Sequence, residues 1–228
     1  AGGVLAAYVG FGIDAGHLLA ASVMAAPAAL VLAKLFMPET EESQTKGFVK
    51  LKVERIHSNL IEAAAAGAAE GLQLALNVGA MLLAFIALIA LVNGMLGWAT
   101  GLVGLENITL ERLSGWLFAP IAFIIGIPWE DCVNFGTLLG KKMIVNEFVA
   151  YLDLKNMIET KAMSDRAITM ATYALCGFAN FSSIAIQVGG IGTIAPSRRG
   201  DLAKLGIKCL AGGMMAGLMT ASIAGIFI

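Results

Sequence analysis

Two short stretches of the 228-residue chain carry most of the groups that can do chemistry inside apolar surroundings. The first is Asn146-Glu147, followed at once by Phe148-Val149-Ala150-Tyr151. A charged side chain at the centre of a bilayer costs about 2.5–3.5 kcal/mol on insertion scales, so an intramembrane carboxylate marks a function by default. Glu147 is suited to accept hydrogen bonds from substrate hydroxyls or to pair with a coupling cation. The plainer alternative is an interfacial glutamate solvated by an aqueous mouth. The second stretch is Phe178-Ala-Asn-Phe-Ser-Ser183. Asn180 offers two donors and an acceptor and Ser183 a rotatable hydroxyl, a set that suits a neutral polyhydroxyl ligand. Phe178 supplies an apolar wall or stacking face. Ordinary interhelical hydrogen bonding by Asn and Ser is the alternative here.

Other chemistry is poorly supported. Cys132, Cys176 and Cys209 are far apart and odd in number, with no CxxC pair, so they read as small polarisable packing residues. His17 and His57 have no metal-ligand spacing, and Met214, Met215 and Met219 read as helix packing. The chain has no G-x-S-x-G, P-loop or H-E-x-x-H motif. An enzyme using Glu147 as acid or base would lack a nucleophile, a second carboxylate motif and a metal cluster, so no enzymatic activity and no cofactor is expected.

The elements that hold these residues belong to a membrane protein. Hydrophobic residues make up 58% of the chain and charged residues 14%, where a soluble domain has roughly 45–50% and about 25%. The mean hydropathy of +0.83 agrees. A formal net charge of −1 excludes the basic field that nucleic acid requires. The opening Ala1-Gly-Gly-Val-Leu5 has no Met and no basic residue, unlike a secretory signal, and reads as the later part of a longer chain.

Residues 1–12 are too short to span a bilayer and look like the end of a helix. Residues 17–36 make a nearly full span, with Pro27 inside and Pro38 as its stop. Residues 41–55 carry Lys46, Lys50, Lys52 and Arg55, which the positive-inside rule places in the cytoplasm. Residues 60–71 read as an Ala-rich interfacial helix leading into a tilted apolar run over 72–102. Residues 113–127 suggest a second interfacial helix. Residues 129–157 mix charges with apolar runs, as expected of a re-entrant hairpin of two half-helices. Residues 167–194 form a span broken at Asn180–Ser183, and residues 202–228 form the last one. Trp98, Trp116 and Trp129 read as interfacial anchors, and Arg198-Arg199 as a topology signal. Gly213-x-x-x-Gly217 fits helix pairing and composition equally. Short broken apolar segments with polar residues at the breaks point to a transporter's binding site.

The chain resembles the concentrative nucleoside transporter family. The resemblance rests on Asn146-Glu-Phe-Val-Ala-Tyr151, Thr172-Tyr-Ala-Leu-Cys-Gly-Phe-Ala-Asn180 and Ala195-Pro-Ser-Arg-Arg199. The opening Ala-Gly-Gly-Val-Leu-Ala-Ala-Tyr8 and Ser22-Val-Met-Ala-Ala-Pro27 add to it. The matches are spread over nearly all of the chain and correspond to the family's C-terminal half.

The resemblance implies a homotrimeric symporter in the lipid bilayer of the cell (inner or plasma) membrane, driving nucleosides such as uridine inward on a sodium or proton gradient. It implies that Glu147, Asn180 and Ser183 bind the ribose and that Val4 and Phe178 form walls of the nucleoside pocket. It also implies that a first hairpin, and most of the groups that hold sodium, precede Ala1. The expected fold is all-α, with transmembrane helices, a re-entrant helical hairpin and a broken helix. Residues 1–58 and 106–228 would form the transport region, and residues 59–105 an interfacial helix with the long scaffold helix. A passive nucleoside or small-solute channel is the alternative; it would need a continuous polar stripe, whereas the polar residues here sit at two breaks.

Overall fold

The computed structural model describes residues 2–40, 42, 58–102, 104 and 108–228; the basic stretch with Lys46, Lys50, Lys52 and Arg55, and also His57, lie outside the described residues. Among the described residues the regular elements are nine α-helices and two 3-10 turns, without a strand. The helices are α1 (Gly2–Gly10), α2 (Ala15–Phe36), α3 (Leu60–Gly101), α4 (Leu110–Ile124), α5 (Cys132–Ile144), α6 (Glu147–Glu159), α7 (Asp165–Leu175), α8 (Phe181–Ile194) and α9 (Arg199–Ile226).

Local chemistry sets most of the starts. Asp14, Asn59, Thr109, Asn146, Ser164 and Asn180 each sit in extended backbone ahead of a helix, and the side-chain oxygen of each accepts a backbone N–H three residues on. This pairs one of the orphan amides of the first turn, worth about 1 kcal/mol per cap. At the start of α3 the bonding is reciprocal: Glu62 N–H donates to Asn59 Oδ1 at 2.8 Å, while the Glu62 carboxylate accepts the Ser58 N–H at 2.8 Å and its hydroxyl. The Ser58 donors hold the Glu62 carboxyl below its ordinary value.

Helix α3 differs from expectation. Residues 60–71 and the apolar run after them form one uninterrupted helix of 42 residues. Nothing between them breaks it, since the segment has no proline and a lone helical glycine such as Gly71 costs only about 1 kcal/mol. At 1.5 Å per residue it is about 63 Å long, roughly twice the thickness of a bilayer's hydrocarbon core. Leu72, Leu76, Leu83, Leu88, Leu91 and Met95 are exposed along it. Its polar link to the remainder is Asn93, whose Oδ1 accepts the Leu110 N–H at 2.8 Å and whose Nδ2 donates to Glu111 at 2.9 Å.

The other helices share one core. Helix α9 packs on α2, α7 and α8, and α5 packs on α4, α6 and α7. The core joins Tyr8 and Leu18 to Phe135, Leu138 and Leu139 of α5, Tyr151 and Leu154 of α6, and Met170 and Leu175 of α7. Close approach depends on missing side chains. A Cβ on Gly136 of α5 would lie 2.5 Å from the Gly115 carbonyl oxygen of α4. A Cβ on Gly217 of α9 would lie 2.8 Å from the Ala174 oxygen of α7, and one on Gly213 would lie 3.1 Å from Ala179 Cβ. The Gly213-x-x-x-Gly217 pattern is therefore a helix-packing surface. Ala15–Phe36 and Pro196–Ile226 are long and apolar enough to cross a membrane.

Candidate binding site at two helix breaks

The hairpin α5–α6 turns through Val145 and Asn146 alone. Asn146 caps α6, its Oδ1 accepting the Val149 N–H at 2.9 Å, which leaves Glu147 as the first helical residue. A carboxylate there faces the positive end of the helix dipole. The second break separates α7 from α8 over Cys176 to Asn180, where Gly177 adopts a φ of +109°, a conformation that favours glycine. Asn180 then caps α8.

The two breaks meet. Asn180 Nδ2 donates to Glu147 Oε2 at 3.0 Å, with Asn180 2% and Glu147 6% exposed. Asn180 Oδ1 accepts from Ser182 Oγ, Ser183 N and Ser183 Oγ, each at 2.7 Å. Two helix N-termini thus converge on one linked group of a carboxylate, an amide and two hydroxyls. The amide oxygen is fully engaged. The carboxylate accepts one side-chain bond, from Asn180, and keeps further lone pairs. Each serine hydroxyl gives its proton to Asn180 and keeps its acceptor lone pairs.

Val4, Tyr8, Ser22, Glu147, Cys176 and Phe178 line a cavity with about 320 Å³ of empty space, including the part open to solvent. Asn180 and Ser183 line a second cleft with Phe178, Gln187, Gly206 and Leu210. All five residues singled out in the sequence therefore lie at one place, with Phe178 shared between the two hollows. Phe178 is 57% exposed.

Behind the site lies Lys142, a completely buried ammonium. It donates to the Ala174 carbonyl oxygen at 2.8 Å, one of the carbonyls left unpaired where α7 ends, and it interacts electrostatically with Glu147. Its neighbour Lys141 points away and pairs with Asp153 of α6. Among the described residues no three His, Cys, Asp or Glu side chains gather as a metal cage.

Residues 17–225 match the family described as "Na+ dependent nucleoside transporter C-terminus". The chain belongs to this family. Three similar proteins illustrate the extent of the likeness. An uncharacterized transporter of Bacillus subtilis (strain 168), YutK, is 53% identical over 229 residues, covering 100% of this chain and 56% of the relative. Sodium/nucleoside cotransporter 1 of Sus scrofa is 41% identical over 240 residues, covering 99% of this chain and 37% of the relative. The solved structure of CNTnw in an inward-facing substrate-bound state superposes with a TM-score of 0.86 at 46% identity, covering 100% of this chain and 54% of that one. The chain thus spans about half the length of the curated relatives it matches first. Membership in the nucleoside transporter family makes this a membrane-embedded protein whose relatives are transporters rather than enzymes.

Within the family's C-terminal region, sequence reading singled out the residues whose polarity contradicts their apolar neighbours. It missed Tyr8, Ser22, Ser182 and Lys142 as parts of the site. Ser182 adjoins a residue already chosen. Lys142 is half of a Lys-Lys pair that looks solvent-facing until the hairpin shows that adjacent residues on a helix point about 100° apart.

Proposed function

We propose that the chain forms the C-terminal part of a symporter that binds nucleosides at the two helix breaks and carries them across the cell membrane on a sodium gradient. The observation that carries this reading is the 3.0 Å bond between Asn180 and Glu147, which joins two helix starts in a buried, mostly apolar setting. A ribose presents hydroxyl protons and lone pairs together. Glu147 accepts the protons, the Ser183 oxygen offers a further acceptor, and Val4 and Phe178 provide apolar walls for the rest of the nucleoside. The family description supports sodium as the coupling ion; it is cargo moving with the nucleoside, and a proton is the alternative ion.

In this reading α5–α6 is a re-entrant hairpin, supported by its two short helices, its two-residue turn and the buried Glu147 at the tip. The exposed apolar length of α3 supports its burial in lipid or against neighbouring copies in a homotrimer. A passive channel gains no support, because the polar side chains singled out among the described residues gather at one pair of breaks.

The test is uptake of radiolabelled uridine into proteoliposomes holding the full-length protein, with an inward sodium gradient, an inward proton gradient, or neither. Accumulation above the external concentration under sodium alone is the expected result. Uptake that only equilibrates under all three conditions excludes the symporter.

A further inference from the structure

Among the described residues a single buried side-chain polar atom has no hydrogen-bond partner, the hydroxyl oxygen of Tyr8. Tyr8 is 5% exposed and its ring is held on several sides, with centroids 4.1 Å from Tyr151, 6.1 Å from Phe148 and 6.4 Å from Phe11. The adjacent Tyr151 is fully buried too, yet its hydroxyl donates to the Thr172 carbonyl at 2.7 Å. Buried hydroxyls are almost always paired, and one left unpaired is destabilising where a phenyl ring of the same shape is not. Among the described residues the ring of Tyr8 is packed on and its oxygen is left unused.

Tyr8 lines the same cavity as Val4, Glu147 and Phe178. Glu147 takes its side-chain hydrogen bond from Asn180 and none from Tyr8. We propose that the Tyr8 hydroxyl is a substrate contact that donates to a sugar hydroxyl of the nucleoside held at Glu147. This rests on the nucleoside reading above and extends it. A sugar hydroxyl that gives its proton to Glu147 keeps two lone pairs, and a phenol is the donor that matches them. The three groups form a relay, from Tyr8 O–H to the sugar oxygen and from the sugar O–H to the carboxylate. Tyr8 then helps distinguish a hydroxylated sugar from its deoxy analogue.

The experiment uses the full-length protein in proteoliposomes and compares wild type with Tyr8→Phe for uridine and its 2′-, 3′- and 5′-deoxy analogues. For uridine the variant raises KM by about three- to tenfold. For the one analogue that lacks the contacted hydroxyl, wild type and variant have the same KM. Without nucleoside, Tyr8→Phe leaves the Tm of the purified protein unchanged or higher, whereas the control Tyr151→Phe lowers it, because that oxygen is used by the fold. A uridine KM equal to wild type overturns the contact and leaves the transporter reading intact. An equal rise for uridine and all three analogues also overturns it, since the effect is then structural. If the wild type carries none of the four nucleosides, the transporter reading fails and the contact falls with it.

Discussion

The Asn180–Glu147 pair concentrates the argument at the scale of single residues. Each member has a local duty that ordinary helix chemistry explains: Asn180 caps α8, and Glu147 opens α6. The bond between them goes further than capping requires, because it joins residues 33 apart in sequence and so fixes the separation of two helix starts. Glu147→Gln preserves the shape but exchanges the anionic acceptor for a neutral amide, leaving substrate hydroxyls less well paired at about 1–3 kcal/mol. Uridine affinity falls severalfold or more, read as a rise in KM in proteoliposome uptake. Uptake unchanged at all uridine concentrations would refute the ribose role of Glu147. These residues were legible in the sequence because polar groups inside apolar runs are conspicuous. Tyr8 and Lys142 were not, since a tyrosine among apolar residues and a lysine beside another lysine look ordinary. Only the packing reveals that one hydroxyl lacks a partner and that one ammonium lies wholly inside.

The same contrast appears among the elements. The sequence places one break at Asn180–Ser183, whereas in the structure it lies at 176–180, with Asn180 as the cap and Phe181–Ser183 already inside α8. The turn at 145–146 was legible, because an asparagine cap interrupts an apolar run there and local propensity and tertiary structure agree. The continuity of α3 was not, because a change in hydrophobicity at residue 72 resembled a boundary, although the backbone had no reason to end. The glycines of α9 were ambiguous until their neighbours were placed. Gly217 touches the carbonyl of Ala174, the same oxygen that Lys142 holds from the other element. Gly217→Ala drives a methyl group to 2.8 Å from that oxygen and must push α9 away from α7. Overpacking of this kind costs about 1–3 kcal/mol. Thermal unfolding of the purified protein therefore shifts several degrees downward. Gly212→Ala is the matched control on the same helix, since its Cβ would meet nothing nearer than Phe36 at 3.9 Å, an ordinary contact. Alanine is the better helix former, so Gly212→Ala should hold or raise the Tm; equal losses from both substitutions would mean that the close approach of Gly217 to α7 does not set the effect.

By burial, the described helices of the whole molecule fall into two sets. Helices α4 to α9, with α1 and α2, share buried contacts that converge on the two breaks, whereas α3 lies alongside with its apolar residues exposed. Among the described residues it is tied on by Asn93, an amide in the C-terminal third of an apolar helix that reads the first turn of α4 through the Leu110 N–H and the Glu111 carboxylate. The sequence alone assigns Asn93 no partner, since nothing local tells a helix which neighbour its amide faces. Asn93→Leu removes both bonds, leaving the Leu110 amide to water and the Glu111 carboxylate without its donor, a loss of about 1–3 kcal/mol at that joint. The proposed site lies on other elements and keeps every hydrogen bond described for it. Hydrogen exchange at residues 110–113 should therefore quicken in the variant, while the KM for uridine stays close to that of wild type. A KM raised as far as in Glu147→Gln would mean that the seat of α3 reaches the site, and the division between a supporting helix and a binding body would have to be abandoned.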